Sequence, residues 1–468
     1  MKLSDRILRF ELNDTNSLLI NPMTGAIDII PSIVLKDMED ADSVSAPNDA
    51  IAHLANRGYF LSEDERMEKL RDLQHVNEEH QKNVPYWFYI LSTLKCNFGC
   101  PICYERNVLE NSDISCETIT KIISFVKRFQ EEKNISKERI RLVMFGGDPL
   151  CVSDRKIIEQ ILESSSKMEW KTIIVTNGSN IKKFMDAFIQ YRDAISDFRI
   201  TLDGEQKIHD ARRPYRDGRG SFNDVIRAID LLLENKFTVK MQTIIGAGNI
   251  SRLDELILFA KDRGWLQNEH FHWRIEGSHD YANFDPKKDE ISEGKIVRKL
   301  AQSWKEHEEI RGKTRFESFK YLGHITRSFG WLGDYKTYWG PKYGFCEPQK
   351  GFHYVFSVDG KIYHCPRTIN DEEFYIGTAF YTRTLDDGFQ KDMKGLKDTS
   401  ILERGKCLAC SLNTLCGGGC VVQKKYYPDM DCRKYALSII SEFISLMKED
   451  ILERASPNEI VSVNNLWI

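Results

Sequence analysis

Trp87-Phe88-Tyr89-Ile90-Leu91-Ser92-Thr93-Leu94 is an aromatic, apolar run of strand character, and Cys96-Asn97-Phe98-Gly99-Cys100-Pro101-Ile102-Cys103 follows one residue later. A strand that delivers three thiols to one short loop decides the reading of everything around it. Three thiolates can hold three corners of a [4Fe–4S] cluster and leave the fourth iron open to another ligand. Zinc would want a fourth ligand close by, and none is evident in the adjoining sequence.

Downstream of that loop, short strand-like runs alternate with helical ones as far as about Gly277, the pattern of repeated βα units and a parallel sheet. Strands are expected at Trp87–Leu94, Ile140–Phe145, Thr172–Thr176, Phe198–Leu202, Val239–Ile245 and His270–Ile275. Helices are expected near Glu117–Gln130, Asp154–Ser165, Ile181–Tyr191, Phe222–Glu234 and Arg252–Arg263, with a charged surface helix over Ile291–Glu309. Six such units make an incomplete α/β barrel, a partial (β/α)6 architecture. Alternation in the sixth strand sorts His270, His272, Arg274 and Glu276 onto one face and Phe271, Trp273 and Ile275 onto the other. Polar residues facing inward imply a wet lumen. Arg274 and Glu276 would then lie at the strand's C-terminal end, where barrels place their chemistry.

At 468 residues the chain divides into two or three domains, and its net charge of -4 gives phosphate backbones or anionic membranes no general attraction. No run approaches the roughly 20 apolar residues needed to span a bilayer, and Met1 to Phe10 is too charged for a secretory signal. A cytoplasmic protein without nucleic-acid or membrane partners is expected. Twelve cysteines in a reducing compartment are not a disulfide framework. Three lie within Cys96–Cys103 and seven between Cys346 and Cys432; Cys116 and Cys151 stand alone and read as small buried hydrophobes.

The CxxxCxxC loop after the first strand resembles the radical S-adenosylmethionine (SAM) superfamily, and further motifs arrive in that family's order over roughly 130 residues. Gly146-Gly147-Asp148-Pro149 resembles the GGEP segment that contacts the SAM amino group, with Asp in place of Glu. Thr176-Asn177-Gly178 closes the third strand as the family does. Thr201-Leu202-Asp203-Gly204, His209-Asp210, Arg213 and Gly218-Arg219-Gly220-Ser221-Phe222 resemble the fourth-strand signature of its peptide-modifying branch. The resemblance implies that Cys96, Cys100 and Cys103 hold the catalytic cluster. Cofactor contacts would come from Ile102, Gly146, Gly147, Asp148, Thr176, Asn177, Thr201, Asp203, Arg213 and Gln242. Thr201 would approach the ribose, Arg213 the SAM carboxylate, and Ile102 stands where an aromatic residue usually meets adenine. The free iron would chelate the methionine amine and carboxylate, and reductive cleavage would give a 5′-deoxyadenosyl radical able to abstract hydrogen from an unactivated C–H bond.

The C-terminal cysteines run Cys346, thirteen residues, Gly360, four residues, Cys365, then Cys407-x2-Cys410-x5-Cys416-x3-Cys420 and Cys432. Cys407, Cys410, Cys416 and Cys420 could alone make a zinc ribbon. The upstream pair and Cys432 favour instead a resemblance to the SPASM domain and its two auxiliary clusters, three [4Fe–4S] clusters in all. By that resemblance Cys407, Cys410, Cys416 and Cys432 hold one cluster and Cys346, Cys365 and Cys420 the other. Seven thiolates cannot fill eight corners. Sulfatase-maturing relatives place an eighth cysteine just before the first, but Tyr338-Trp339-Gly340-Pro341-Lys342-Tyr343 has none. The second cluster has either an open iron, able to hold a substrate thiolate, or a ligand such as His364 or Glu347. Those relatives also carry an acid after the Cys365 equivalent where this chain has Pro366, which disfavours formylglycine formation.

Residues 1–82 begin with two β-rich runs, Ile7–Leu12 and Ser17–Ile20, around the turn-forming Asn13-Asp14, and continue with helical periodicity at Asp49–Leu54 and Glu63–Leu73. This α+β module resembles in topology the winged-helix element that binds leader segments by strand addition. Glu78–Asn83 reads as a linker to the barrel at 83–335, followed by the cysteine-rich domain at 336–455 and a C-terminal tail at 456–468. The whole implies a peptide maturase, closest in type to thioether-forming sactipeptide or ranthipeptide enzymes. Its partners would be a ribosomally made precursor peptide and a reduced flavodoxin or ferredoxin-type donor. Side-chain cross-linking, carbon–carbon or ether, or epimerisation on the same framework is the alternative chemistry. A zinc-stapled peptide-binding protein is the alternative outside enzymology.

Overall fold

Three antiparallel strands open the chain: β1 (Leu8–Glu11), β2 (Asn16–Ile20) and β3 (Ile27–Pro31). The β1–β2 turn forms where Asn13 was expected to act, its side chain accepting from the Thr15 and Asn16 N–H groups at 3.1 and 2.7 Å. β3 was not anticipated. Its Asp28 is fully buried and takes Arg57 Nε at 2.7 Å and the Tyr59 hydroxyl at 2.6 Å. Helices α1 (Ser32–Glu39), α2 (Asn48–Asn56) and α3 (Glu63–Gln81) follow. α3 corrects the reading of Glu78–Asn83 as a linker, because the helix runs on through Gln81. A capping box starts it, Ser62 N–H donating to Glu65 at 2.8 Å, and its Glu-, Gln-, Lys- and Leu-rich sequence favours helix although it is polar. The computed structural model describes residues 3–39, 48–278, 289, 291–310, 312–316, 321–331, 341–346, 348, 351–380, 401–402, 404–426, 428–456, 459–464 and 466. Tyr338–Gly340, Glu347 and the 335/336 boundary lie outside the described residues.

Six parallel strands then alternate with helices: β4 (Tyr86–Leu91), α4 (Cys116–Glu132), β5 (Ile140–Phe145), α5 (Lys156–Lys167), β6 (Lys171–Thr176), α6 (Ile181–Gln190) and β7 (Ile195–Thr201). The pair α7 (Gln206–Arg212) and α8 (Phe222–Glu234) leads to β8 (Val239–Ile245), α9 (Leu253–Asp262) and β9 (Phe271–Gly277). These are the six βα units expected, in the order β9-β8-β7-β6-β5-β4. The longer helices turn one apolar stripe onto the sheet, as Ile119, Ile122, Val126 and Phe129 do in α4, whose first turn is capped by Ser115. β9 alternates as its sequence requires: Phe271, Trp273 and Ile275 are buried against the helical layer, while Arg274 and Glu276 point the other way and bond at 3.0 Å.

The sheet goes further than six strands. After α10 (Glu293–Glu306), within the expected Ile291–Glu309 helix, β10 (Thr314–Phe316) adds parallel to β9. On the opposite edge β11 (His353–Phe356) pairs parallel to β4, and β12 (Lys361–Tyr363) and β13 (Tyr375–Thr378) continue antiparallel, giving ten strands. One sheet therefore joins the 83–335 and 336–455 segments. The tail contributes too: β14 (Val461–Ser462) pairs antiparallel with β3 and closes that edge of the N-terminal sheet. Among the described residues no helix is long and apolar enough to cross a membrane.

Candidate active site

The Cys96–Cys103 loop leaves β4 at the C-terminal end of the sheet and is tied down on both flanks. Before it, Lys95 Nζ reaches Asp113 at 2.7 Å and Ser153 at 2.6 Å. Within it, Phe98 bridges to Tyr215, their rings 4.8 Å apart, with Gly99 N–H on Pro214 O at 2.8 Å and Arg216 N–H on Asn97 O at 3.0 Å. Asn97 also bonds to Asn177 and Ser179, each at 2.8 Å, and Asn177 Nδ2 lies 3.9 Å from the Cys96 sulfur. The loop is thus gripped by the β6 terminus and by the segment after α7, two places that the motif reading had named separately.

Gly146 and Gly147, at the end of β5, both have positive φ, 88° and 49°. A Cβ on Gly147 would strike the Lys95 carbonyl, so this glycine is what lets β5 pass under the cysteine loop. Asp148 is 1% exposed and accepts Leu150 N–H at 3.0 Å, Thr176 Oγ1 at 2.8 Å and Asn177 N–H at 2.6 Å; burial raises its carboxyl above the usual range. Asp203, also 1% exposed, takes Arg213 Nε at 2.9 Å, Arg212 Nε at 3.2 Å and Ile244 N–H at 2.9 Å. Despite its burial the two guanidiniums hold it below the ordinary carboxylate range. Its geometry positions Arg213, whose guanidinium lies within reach of Cys100. Thr201 and Gln242 are register partners on β7 and β8, both half-buried, and Ile102 is half-buried on the loop itself.

Burial raises the Cys96, Cys100 and Cys103 thiols, the last to about 11, so these sulfurs carry protons until a metal displaces them. The local backbone prepares that exchange. Phe98 N–H points at Cys96 Sγ and Leu412 N–H at Cys410 Sγ, each at 3.4 Å. The N–H groups of Glu105, Arg367 and Gly418 favour the thiolates of Cys103, Cys365 and Cys416 in the same residue-to-residue-plus-two relation. In the C-terminal segment Cys407 and Cys432 lie close enough to act electrostatically on Cys410, Cys432 and Cys410 on Cys416, and Cys420 on Cys365. Cys346 is half-buried. Among the described residues no three cysteine sulfurs draw within 4.8 Å of one another. Tetrahedral zinc, with metal–sulfur bonds of roughly 2.3 Å, needs edges of about 3.8 Å. Cys151 is half-buried beside Cys96, whereas Cys116 is exposed at the start of α4, which corrects its reading as a buried hydrophobe.

Residues 90–260, from β4 through α9, match the Radical SAM superfamily. This chain carries a radical SAM domain. The cysteine-type anaerobic sulfatase-maturating enzyme of Clostridium novyi (strain NT) is 22% identical over 346 residues, covering 69% of this chain and 84% of that one. A serine-type counterpart from Klebsiella aerogenes is 20% identical over 343 residues, covering 69% and 76%. Among solved structures, anSMEcpe with bound AdoMet superposes with a TM-score of 0.58 at 17% identity, covering 79% of this chain and 98% of that one. Streptococcus suis SuiB bound to precursor peptide SuiA gives 0.51 at 14% identity, covering 91% and 96%. At such identities the two structures speak for a shared fold.

Several residues of the radical SAM domain escaped the motif reading. Arg199 stacks its guanidinium 5.2 Å from the Trp87 ring and, with Arg274 and Glu276, acts on Tyr89, so the inner face of the sheet is charged as expected. Tyr104 lies within electrostatic reach of Arg367 and Cys365, which sets the cysteine loop opposite the turn after β12. His364, which the sequence already offered as a ligand, is 1% exposed beside Phe374, and burial lowers it to about 4. Glu105 is 7% exposed beside Gly147, and burial pushes its carboxyl up to about 8 although the Gly147 N–H favours the ionised form. An acid two residues beyond the third cysteine was visible in the sequence, but nothing local marks it as buried.

Proposed function

We propose that this chain is a peptide maturase that installs a cysteine thioether in a ribosomally made precursor, using three [4Fe–4S] clusters and SAM. The observation that carries the reading is the nearness of two cysteine sites: Tyr104 on the radical-generating loop and Tyr89 on the sheet both lie within electrostatic reach of Cys365. Cys96, Cys100 and Cys103 would hold the SAM-binding cluster; Cys407, Cys410, Cys416 and Cys432 one auxiliary cluster; Cys346, Cys365 and Cys420 the other. When bound, these groups supply the electron that cleaves SAM and take up the one left over when the carbon–sulfur bond closes. The chain's own residues do the rest. Arg213, anchored by Asp203, would neutralise the SAM carboxylate, and Thr201 and Gln242 would border the nucleoside. Arg199, Arg274 and Glu276 would orient the peptide. A substrate thiol bound next to Cys365 would be presented to the carbon radical, and the absence of an eighth cysteine from the sequence before Cys346 would leave an iron open to it.

The N-terminal sheet supports leader binding. Its β3 edge is taken by β14, while β1 has a neighbour on one side only among the described residues. A groove of about 640 Å³ runs between Arg9–Glu11 of β1, with Leu12 just beyond, and the helical residues Ile444 and Lys448, suited to an extended peptide adding as a strand. The electron would come from a reduced flavodoxin or ferredoxin-type donor, in the cytoplasm.

The test is mass spectrometry of a cysteine-containing precursor peptide co-expressed anaerobically with the enzyme and then alkylated. Loss of two hydrogens with one fewer reactive thiol supports the thioether. Loss of two hydrogens with every thiol still reactive moves the reading to a side-chain cross-link, and an unchanged mass to epimerisation or another substrate.

A further inference from the structure

SAM brings to its site an α-amino group whose N–H bonds need acceptors, whether or not the nitrogen also meets iron. By sequence the acid for that task is Asp148, but Asp148 is already engaged. Leu150 N–H, Thr176 Oγ1 and Asn177 N–H take three of its roughly four acceptor positions, and it is 1% exposed. Its shorter side chain has become a brace between β5 and β6. A second carboxylate stands beside it. Glu105 is 7% exposed, lies against the Gly147 N–H, and its Oε1 is buried without a hydrogen-bond partner among the described residues. A buried acceptor left unmade is costly, which points to a donor that arrives with a ligand. The carboxyl group lies within electrostatic reach of Cys103 and takes the Gly147 N–H, which leaves Oε1 for the ligand.

We propose that Glu105 accepts the α-amino group of SAM, taking the part that the shortened Asp148 has given up. This rests on the reading that SAM occupies the site. Gly147 N–H would hold one oxygen and the amine would satisfy the other. In Glu105→Gln the Gly147 N–H claims the amide oxygen and turns the NH2 toward the amine, donor against donor.

The experiment measures binding of SAM, and of its analogue lacking the α-amino group, to the anaerobically reconstituted holoenzyme and to Glu105→Gln, with iron content as the folding control. SAM binding should weaken about tenfold or more, the low end for a hydrogen bond to a charged group, while the analogue binds both proteins alike. Equal SAM affinity, or an equal loss for both ligands, overturns the proposal, as does intact SAM binding with peptide modification lost. If the variant fails to hold iron, the wild-type protein decides: binding the analogue as tightly as SAM overturns it, and Glu105→Asp, which keeps the charge, should bind SAM more tightly than the analogue. A wild-type holoenzyme that binds neither ligand refutes SAM occupancy itself.

Discussion

Replacing Asp203 with asparagine removes one negative charge from between two guanidiniums, that of Arg212 buried and that of Arg213 half-buried. The carboxylate accepts from Arg213 Nε, Arg212 Nε and Ile244 N–H and is 1% exposed, so neither water nor another acid can take its place. Arg212 keeps Asp289 at 2.8 Å and Ile244 O at 3.1 Å, but Arg213 loses its carboxylate. Removing one partner of a buried pair costs about 3 to 5 kcal/mol, and the asparagine oxygen recovers part of that, so a loss of about 3 kcal/mol is expected. Urea unfolding followed by circular dichroism at constant pH measures it. The exposed Arg219–Asp217 pair is the control, and Asp217→Asn should leave the midpoint unchanged. If Asp203→Asn destabilises no more than Asp217→Asn, the buried cluster is not what holds Arg213 in place.

Burial lowers His209, His324 and His364 to about 4, so the unfolded chain takes up protons below about pH 6.5 that the folded chain refuses. Stability should therefore fall as pH falls, by about 1.6 kcal/mol per histidine between pH 6.5 and 5, and His324→Gln should remove about a third of that histidine dependence in urea titrations. Gly147→Ala should push the Lys95 carbonyl, and Cys96 with it, lowering iron per chain and abolishing SAM cleavage; Gly405→Ala, where a Cβ meets nothing within 4 Å, should do neither. A chain ending at Glu459 loses β14 and the Asn464 side chain that takes Ile27 N–H at 2.9 Å. Hydrogen exchange should accelerate at Ile27–Ile29 and stay unchanged in β4–β9.

The six βα units could be read from the sequence because β4 and β6 are largely apolar runs, β8 and β9 alternate apolar with polar residues, and the longer helices carry strong 3.6-residue stripes. The cysteine loop was legible for a different reason: its chemistry is local. β3 was not, because Asp28 reads as a break in an apolar run, and the Arg57 and Tyr59 that neutralise it lie about 30 residues away. Nor could local pattern reveal that β11 joins β4 or that β14 closes the N-terminal sheet, since both pairings span hundreds of residues. Motif order brought Asp148 and Asp203 to the site, but only their hydrogen bonds show one bracing β6 and the other holding Arg213.

On the proposed function, a radical made beside Cys96, Cys100 and Cys103 draws its hydrogen from a peptide. The most direct test is to supply the reconstituted enzyme with SAM, reductant and a precursor peptide deuterated at carbon, and to weigh the 5′-deoxyadenosine. Incorporation of deuterium in proportion to modified peptide is the predicted result. 5′-Deoxyadenosine that carries no deuterium while the peptide is modified would contradict it.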